Sequence, residues 1–172
     1  GRARYVGISN FNGWQSARAI SLQEANSAKA PIISVQNEFS LLSRGVEIDA
    51  LDCAVNLQRG FIAWSPLGRG ALTGKYRSGI PADSRAATPH FAPFIEPYLN
   101  EKPRRIVEAV SVAAQGLGYA PLEVALAWVR DFPGVTSAVV GARTGAQMRG
   151  ILTSEEIVLP DVVRTALNEI SL

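Results

Sequence analysis

The chain contains one cysteine, one histidine and one methionine. A solitary Cys53 excludes an internal disulfide, and with it the stapled frameworks of small secreted domains. A reducing, cytoplasmic setting is the expectation. A solitary His90, with no partner cluster of ligating residues around it, gives no reason to expect a metal. An excess of charge of one sign is also missing. Lys and Arg number 17, Asp and Glu 15, for a net charge of +2. That balance argues against nucleic acid or a membrane surface as the main partner. No run reaches the ~18 apolar residues of a bilayer span. The opening Gly1-Arg2-Ala3-Arg4 leads directly into Tyr5-Val6-Gly7-Ile8, without the apolar stretch of a signal peptide.

What is present is ordinary for a globular protein. Over 172 residues, 47% are hydrophobic and 19% charged, enough for one domain, residues 1–172, with a substantial core. Four short apolar runs read as strands: Tyr5-Val6-Gly7-Ile8, Ile32-Ile33-Ser34-Val35-Gln36, Phe61-Ile62-Ala63-Trp64 and Ser137-Ala138-Val139-Val140. Their near-continuous apolar character suits strands of a buried parallel sheet. Helical periods lie between and after them. Ile48, Leu51 and Val55 form one stripe; Ile106, Val110, Ala113, Ala114 and Leu117 form a second. Leu122, Ala125, Leu126 and Val129 form a third, with Pro121 placed for a first turn and Gly116 and Gly118 closing the helix before it. Val163, Leu167 and Ile170 repeat after a Pro160-Asp161 start signal. Strands alternating with helices predict an α/β fold with a parallel sheet. The segment from Pro66 to Pro103 holds six prolines and four glycines. It is too long for an ordinary connection and reads as a functional loop.

Five segments then occur in order: Gly7-Ile8-Ser9-Asn10-Phe11, Val35-Gln36-Asn37-Glu38-Phe39, Trp64-Ser65-Pro66-Leu67-Gly68-Arg69-Gly70, Leu72-Thr73-Gly74-Lys75-Tyr76 and Val140-Gly141-Ala142-Arg143-Thr144. This set resembles the aldo-keto reductases, especially bacterial members and the related potassium-channel β subunits. The resemblance runs along essentially the whole chain. It implies the C-terminal half of a (β/α)8 TIM barrel, strands five to eight, as four βα units plus a C-terminal helix. A full barrel usually needs ~250 residues.

The same resemblance implies an NADP(H) site. Ser9, Asn10 and Gln36 would hydrogen-bond the nicotinamide carboxamide, whose acceptor and NH2 group neutral side chains satisfy without a charge. Trp64 would stack on the nicotinamide ring. Ser65, Pro66, Leu67 and Arg69 would line the pyrophosphate channel. Lys75 and Arg85 would bring positive charge to phosphates or fold over the cofactor. Gly141 would permit close backbone approach. Thr144 would start a helix whose amide end favours phosphate, with Arg143 and Gln147 near the adenosine ribose phosphate. Gly150 and Ile151 stand where many members carry an acidic residue and an asparagine at the adenine. The Lys-Ser pair that many members place after the last strand is missing here. No segment matches the family's catalytic tyrosine, lysine, aspartate or histidine, so no catalytic residue is assigned.

Other readings compete for each residue. Ser9-Asn10 would serve equally as a helix cap before Gly13-Trp14-Gln15. Gln36 would satisfy a buried backbone group, and Trp64 would be a core aromatic. Lys75 and Arg85 would be solvated charges, and Arg143 the partner of a carboxylate. Trp14 and Trp128 read as packing residues, Cys53 as a small buried hydrophobe, and Glu155-Glu156 as a solvated connection. For function, the expectation is the cofactor-binding half of a reductase acting on a small aldehyde or ketone. The alternatives are a non-catalytic nicotinamide-binding regulatory module and an inactive truncated fragment. Two unpaired edge strands and exposed inner-face apolar side chains predict self-association or pairing with an N-terminal half barrel.

Overall fold

The four apolar runs pair side by side in a computed structural model that describes residues 2–26 and 30–172. They are β1 (Val6–Ser9), β2 (Ile32–Glu38), β3 (Gly60–Trp64) and β4 (Val135–Val139). The sheet is parallel throughout, in the order β1-β2-β3-β4. Each strand is followed by helical structure, as crossovers between parallel strands require. The helices are α1 (Gly13–Glu24), α2 (Asp52–Asn56), α3 (Ala92–Ile95), α4 (Glu101–Leu117), α5 (Pro121–Arg130), α6 (Gly145–Thr153) and α7 (Asp161–Ser171). This α/β arrangement is four βα units and a C-terminal helix, the partial barrel that the resemblance implied.

Register gives the sheet two different faces. On one face Ile8, Val35, Phe61 and Val135 stand in one row, and Asn37, Ala63 and Ala138 in the next. Val35, Phe61 and Ala63 are fully buried there. Helices cover this face, and Phe39 extends its core by stacking on Trp128 at 5.5 Å and meeting Phe61 edge-on at 6.2 Å. On the other face the rows are Gly7, Ser34 and Gly60, then Ser9, Gln36, Ile62 and Ser137, then Glu38, Trp64 and Val139. No residue of these three rows is buried. The second face is therefore more polar than the expected apolar barrel lining. Its apolar members are Ile62, Trp64 and Val139; Ile62 and Trp64 are half-buried and Val139 is exposed.

The structure corrects three readings. Ile48 and Val55 are exposed, at 92% and 51%, whereas Ala50, Leu51 and Ala54 face the core. Residues Glu47–Leu51 wind as a π-helical turn before α2. The wider turn breaks the i, i+3, i+4 spacing on which the stripe rested. Trp14 is 63% exposed and is not a packing residue. Helix α1 itself carries no apolar stripe in the sequence, because its buried residues are Gly13, Ser16 and Ile20. Gly13 sits so close to the π turn that a Cβ would fall 2.9 Å from the Asp49 carbonyl oxygen. The cap of α1 is Asn12, in a reciprocal capping box with Gln15, so Ser9 and Asn10 are not used as the cap.

The remaining helices follow their sequence signals. Pro121 occupies the first turn of α5, Gly118 closes α4 in the left-handed region, and Asp161 opens α7. The Pro66 to Pro103 segment is a chain of short turns: 3-10 at Gly68–Thr73, Arg85–Ala87 and Glu96–Tyr98, with α3 between the last two. No helix among the described residues is long and apolar enough to cross a membrane.

Candidate functional site

The residues singled out from the sequence divide into those at the C-terminal ends of the strands and those further along the connections. Ser9 ends β1, Asn10 follows it, Gln36 lies in β2 as the register partner of Ser9, and Trp64 ends β3. Parallel pairing and a common chain direction bring all four to one rim on the uncovered face. The link is direct: the Trp64 indole Nε1 donates to Asn10 Oδ1 at 2.9 Å. The Asn10 backbone N–H donates to the Gln36 carbonyl at 2.9 Å, extending the β1–β2 ladder by one residue. The side chains of Ser9 and Gln36 make no hydrogen bond among the described residues. The rim thus presents a free hydroxyl, a free amide and the NH2 of Asn10 beside an anchored indole. That set matches a flat heteroaromatic amide, which carries one acceptor and one NH2 donor group.

Backbone strain concentrates at the same rim. Among the described residues, four non-glycine residues have positive φ: Asn10 (59°), Gln58 (55°), Ser65 (52°) and Arg69 (56°). Three of them directly follow strands or lie in the turn after β3. Left-handed conformations at non-glycine residues persist where the surroundings impose them, and they cluster at functional sites. Ser65, Pro66 and Leu67 lead from β3 into a tight turn closed by Gly68 N–H to the Ser65 carbonyl (2.9 Å) and Gly70 N–H to the Leu67 carbonyl (2.9 Å). Gly68 has φ of 53°, and a Cβ there would fall 2.7 Å from Leu42 Cδ1. The left-handed backbone favours glycine here, and any Cβ would also force the tip of Leu42 to shift.

Arg69 does not stand free. Its guanidinium grips Glu38 with Nε at 3.1 Å and one terminal nitrogen at 2.9 Å, and donates to the Phe94 carbonyl at 2.7 Å. The Tyr98 hydroxyl donates to the same carboxylate at 2.8 Å. The guanidinium carbon lies 5.9 Å from the Trp64 ring centre, 5.7 Å from Phe94 and 5.4 Å from Tyr98. Glu38 is the register partner of Trp64, so the cluster is built on the end of the sheet. Burial, then the hydrogen bond and charge of Glu38, push the Tyr98 phenol up to about 12. The sequence alone assigns Glu38 and Tyr98 no role, although Glu38 stands within the segment Val35-Gln36-Asn37-Glu38-Phe39.

The other assigned cations are differently placed. Lys75 reaches over the turn: its Nζ would lie 3.1 Å from a Cβ on Gly70, and it sits 5.0 Å from the Tyr76 ring centre. Arg85 is exposed in a 3-10 turn. Arg143 is exposed after β4. None of these three has an acidic partner among the described residues. Gly141 has open space where a Cβ would stand. Thr144 caps α6 by accepting from Gln147 N–H at 3.2 Å, and the Gln147 side chain accepts from Arg143 N–H at 2.8 Å. Gln147 thereby orders the start of α6. His90 contacts Phe91, far along the loop. Two cavities, of about 320 and 600 Å³, flank α4 and include none of Ser9, Asn10, Gln36 or Trp64.

Comparison with known proteins gives a consistent result. The model of the Aldo/keto reductase family matches residues 1–171. The chain is 34% identical to "Uncharacterized oxidoreductase YrpG" of Bacillus subtilis (strain 168), over 99% of this chain and 49% of that protein. It is 35% identical to "Probable voltage-gated potassium channel subunit beta" of Oryza sativa subsp. japonica, over 83% of this chain and 44% of the relative. It is 32% identical to "L-glyceraldehyde 3-phosphate reductase" of Escherichia coli (strain K12), over 86% and 43%. The chain spans about half the length of these curated relatives. Matched along its whole length in this way, with its parallel strands carrying the expected motifs at their ends, the chain belongs to the aldo/keto reductase family.

Proposed function

We propose that residues 1–172 form a single partial barrel domain, the cofactor-binding half of an NADP(H)-dependent aldo-keto reductase that reduces aldehydes or ketones to alcohols. The observation that carries this reading is the rim itself. Trp64 is anchored through Asn10 Oδ1 beside two side chains, Ser9 and Gln36, that have no hydrogen-bond partner among the described residues. When bound, the nicotinamide supplies the hydride that reaches the carbonyl carbon. Ser9, Gln36 and the Asn10 amide orient its carboxamide, and the Trp64 ring fixes which face is presented. Lys75, Arg85 and Arg143 supply the positive charge for phosphates, with the start of α6 at Thr144. A cytoplasmic, reducing compartment suits the free thiol of Cys53.

Carbonyl reduction also needs a proton donor. Tyr98 does not supply it: its hydroxyl is committed to Glu38 and its pKa is raised, the wrong direction for an acid at neutral pH. The donor belongs to a complementary N-terminal half. The test is coexpression of the chain with the four βα units that precede the corresponding region in a relative. NADPH binding by the chain and carbonyl-dependent NADPH oxidation by the pair support the reading. Binding without turnover in the pair supports the second reading, a nicotinamide-binding regulatory module. The rice relative's printed name, a channel subunit, motivates that alternative.

A further inference from the structure

Arg69 enters the family resemblance as a lining residue of the pyrophosphate channel. Its surroundings assign it other work. A guanidinium has five N–H donors in a planar fork. Here three nitrogens are already committed: two to the Glu38 carboxylate and one to the Phe94 carbonyl. The carboxylate neutralises its charge, and both partners are shielded, with side chains 23% and 18% exposed. A phosphate would have to displace a bidentate carboxylate from a half-buried position. Lys75, Arg85 and Arg143 have no such competitor. Meanwhile the guanidinium lies among three aromatic rings, one of them Trp64, at a separation within the ~6 Å over which a cation is attracted to a ring face.

Building on the functional reading above, we propose that Arg69 is a positioning residue for Trp64 rather than a phosphate ligand, with Glu38 and Tyr98 holding it in place. The indole is then fixed at two points. Asn10 Oδ1 takes its Nε1–H, and Arg69 stands by its ring. The left-handed backbone of Arg69 (φ 56°) sends the side chain back toward β2 instead of along the turn. The guanidinium donates to the Phe94 carbonyl and the Tyr98 hydroxyl donates to Glu38, so the ion pair ties residues 94–98 of the long segment to the sheet end. Arg69, held by Glu38, therefore links the ring of Trp64 to that segment.

The two roles for Arg69 separate cleanly by ligand. NADPH carries both the nicotinamide and the phosphates. The 2′-phosphate of ADP-ribose carries the phosphates without the nicotinamide. A positioning role predicts that Arg69→Met weakens NADPH binding roughly tenfold, the effect of losing a well-oriented contact, while affinity for 2′-phospho-ADP-ribose changes less than about twofold. A phosphate-ligand role predicts equal loss for both, and that result overturns the proposal. Arg69→Lys keeps the charge without the bidentate fork; positioning predicts no rescue, and full rescue by lysine overturns it. A third readout needs no cofactor. The indole Nε1–H resonance of Trp64, assigned with Trp64→Phe, shifts in Arg69→Met and in Glu38→Gln, while those of Trp14 and Trp128 hold still. An unmoved Trp64 resonance overturns the proposal. If the wild-type chain binds neither ligand, the cofactor reading fails, and the resonance still decides the role of Arg69.

Discussion

Trp64 and Asn10, 54 residues apart, are joined by a 2.9 Å hydrogen bond from indole Nε1 to amide Oδ1 across the ends of β1 and β3. The bond reaches over β2, the strand between them in the sheet. It also leaves the Asn10 NH2 directed away from the indole donor. Asn10→Ala removes one anchor and one carboxamide partner, and the expected result is NADPH binding weaker by roughly tenfold, about 1–2 kcal/mol. Trp64→Phe retains a ring and loses the donor, so its loss is smaller than that of Trp64→Ala. Enhancement of NADPH fluorescence on titration measures all three. An order in which phenylalanine is no better than alanine contradicts a stacking role.

Tyr98 makes a prediction about alkaline stability. Its phenol ionises near 10 in an unfolded chain and near 12 in the native one, because burial and the Glu38 carboxylate both disfavour the phenolate. Between those values the unfolded state has released a proton that the native state keeps. The stability from this group is fully present below pH 10 and is lost as pH rises toward 12. Urea midpoints of wild type therefore fall more steeply than those of Tyr98→Phe between pH 10 and 12. Parallel curves for the two proteins contradict the hydrogen bond.

The way these features were or were not legible in the sequence has physical causes. The strands declared themselves because one face of each is packed under helices, which sets apolar residues such as Val35, Phe61 and Ala63 along it. The rim residues Ser9, Asn10, Gln36 and Trp64 sit immediately at strand ends, where a motif in the sequence maps directly onto a place in space. Ile48 and Val55 misled because a π turn changes which residues share a face. Helix α1 hid because a close approach, Gly13 to Asp49, needs small residues instead of an apolar stripe. Glu38 and Arg69 stood in two of the family-like segments, but nothing local showed that they pair or that Tyr98 joins them. The members of this cluster are separated by 31 and 60 residues, a spacing that no local pattern reads.

Arg44 binds the C-terminal helix to the body of the molecule. One terminal nitrogen donates to the Asn168 carbonyl at 2.9 Å and the Ser171 hydroxyl at 2.7 Å, while the rest of the fork holds Glu47. The same guanidinium lies 5.2 Å from the Trp128 ring centre. Its side chain is 11% exposed, so Arg44→Ala leaves a shielded carboxylate unpaired and strips two contacts from α7. The expected cost is about 3 kcal/mol, read as a lower urea midpoint. Hydrogen exchange accelerates first within residues 161–171. Uniform acceleration across the sheet instead contradicts a local role in docking α7.

The last prediction concerns the two sheet edges. β1 and β4 each pair on one side only, so each presents a row of unpaired backbone groups. Beside them Tyr5 is 63% exposed and Val139 49%, which places apolar surface next to open hydrogen-bonding positions. A parallel edge of this kind is satisfied by another parallel strand running the same way. The isolated chain is expected to self-associate, with an apparent mass in light scattering that rises with concentration. A coexpressed N-terminal half barrel offers strands for both edges at once and competes with that association. In its presence the chain elutes as a one-to-one complex whose mass no longer depends on concentration. The decisive comparison is Ser137→Lys, which sets a charge on β4 without touching the buried face. The lysine suppresses self-association while circular dichroism is unchanged. A wild-type chain that remains monomeric at high micromolar concentration contradicts the open-edge argument.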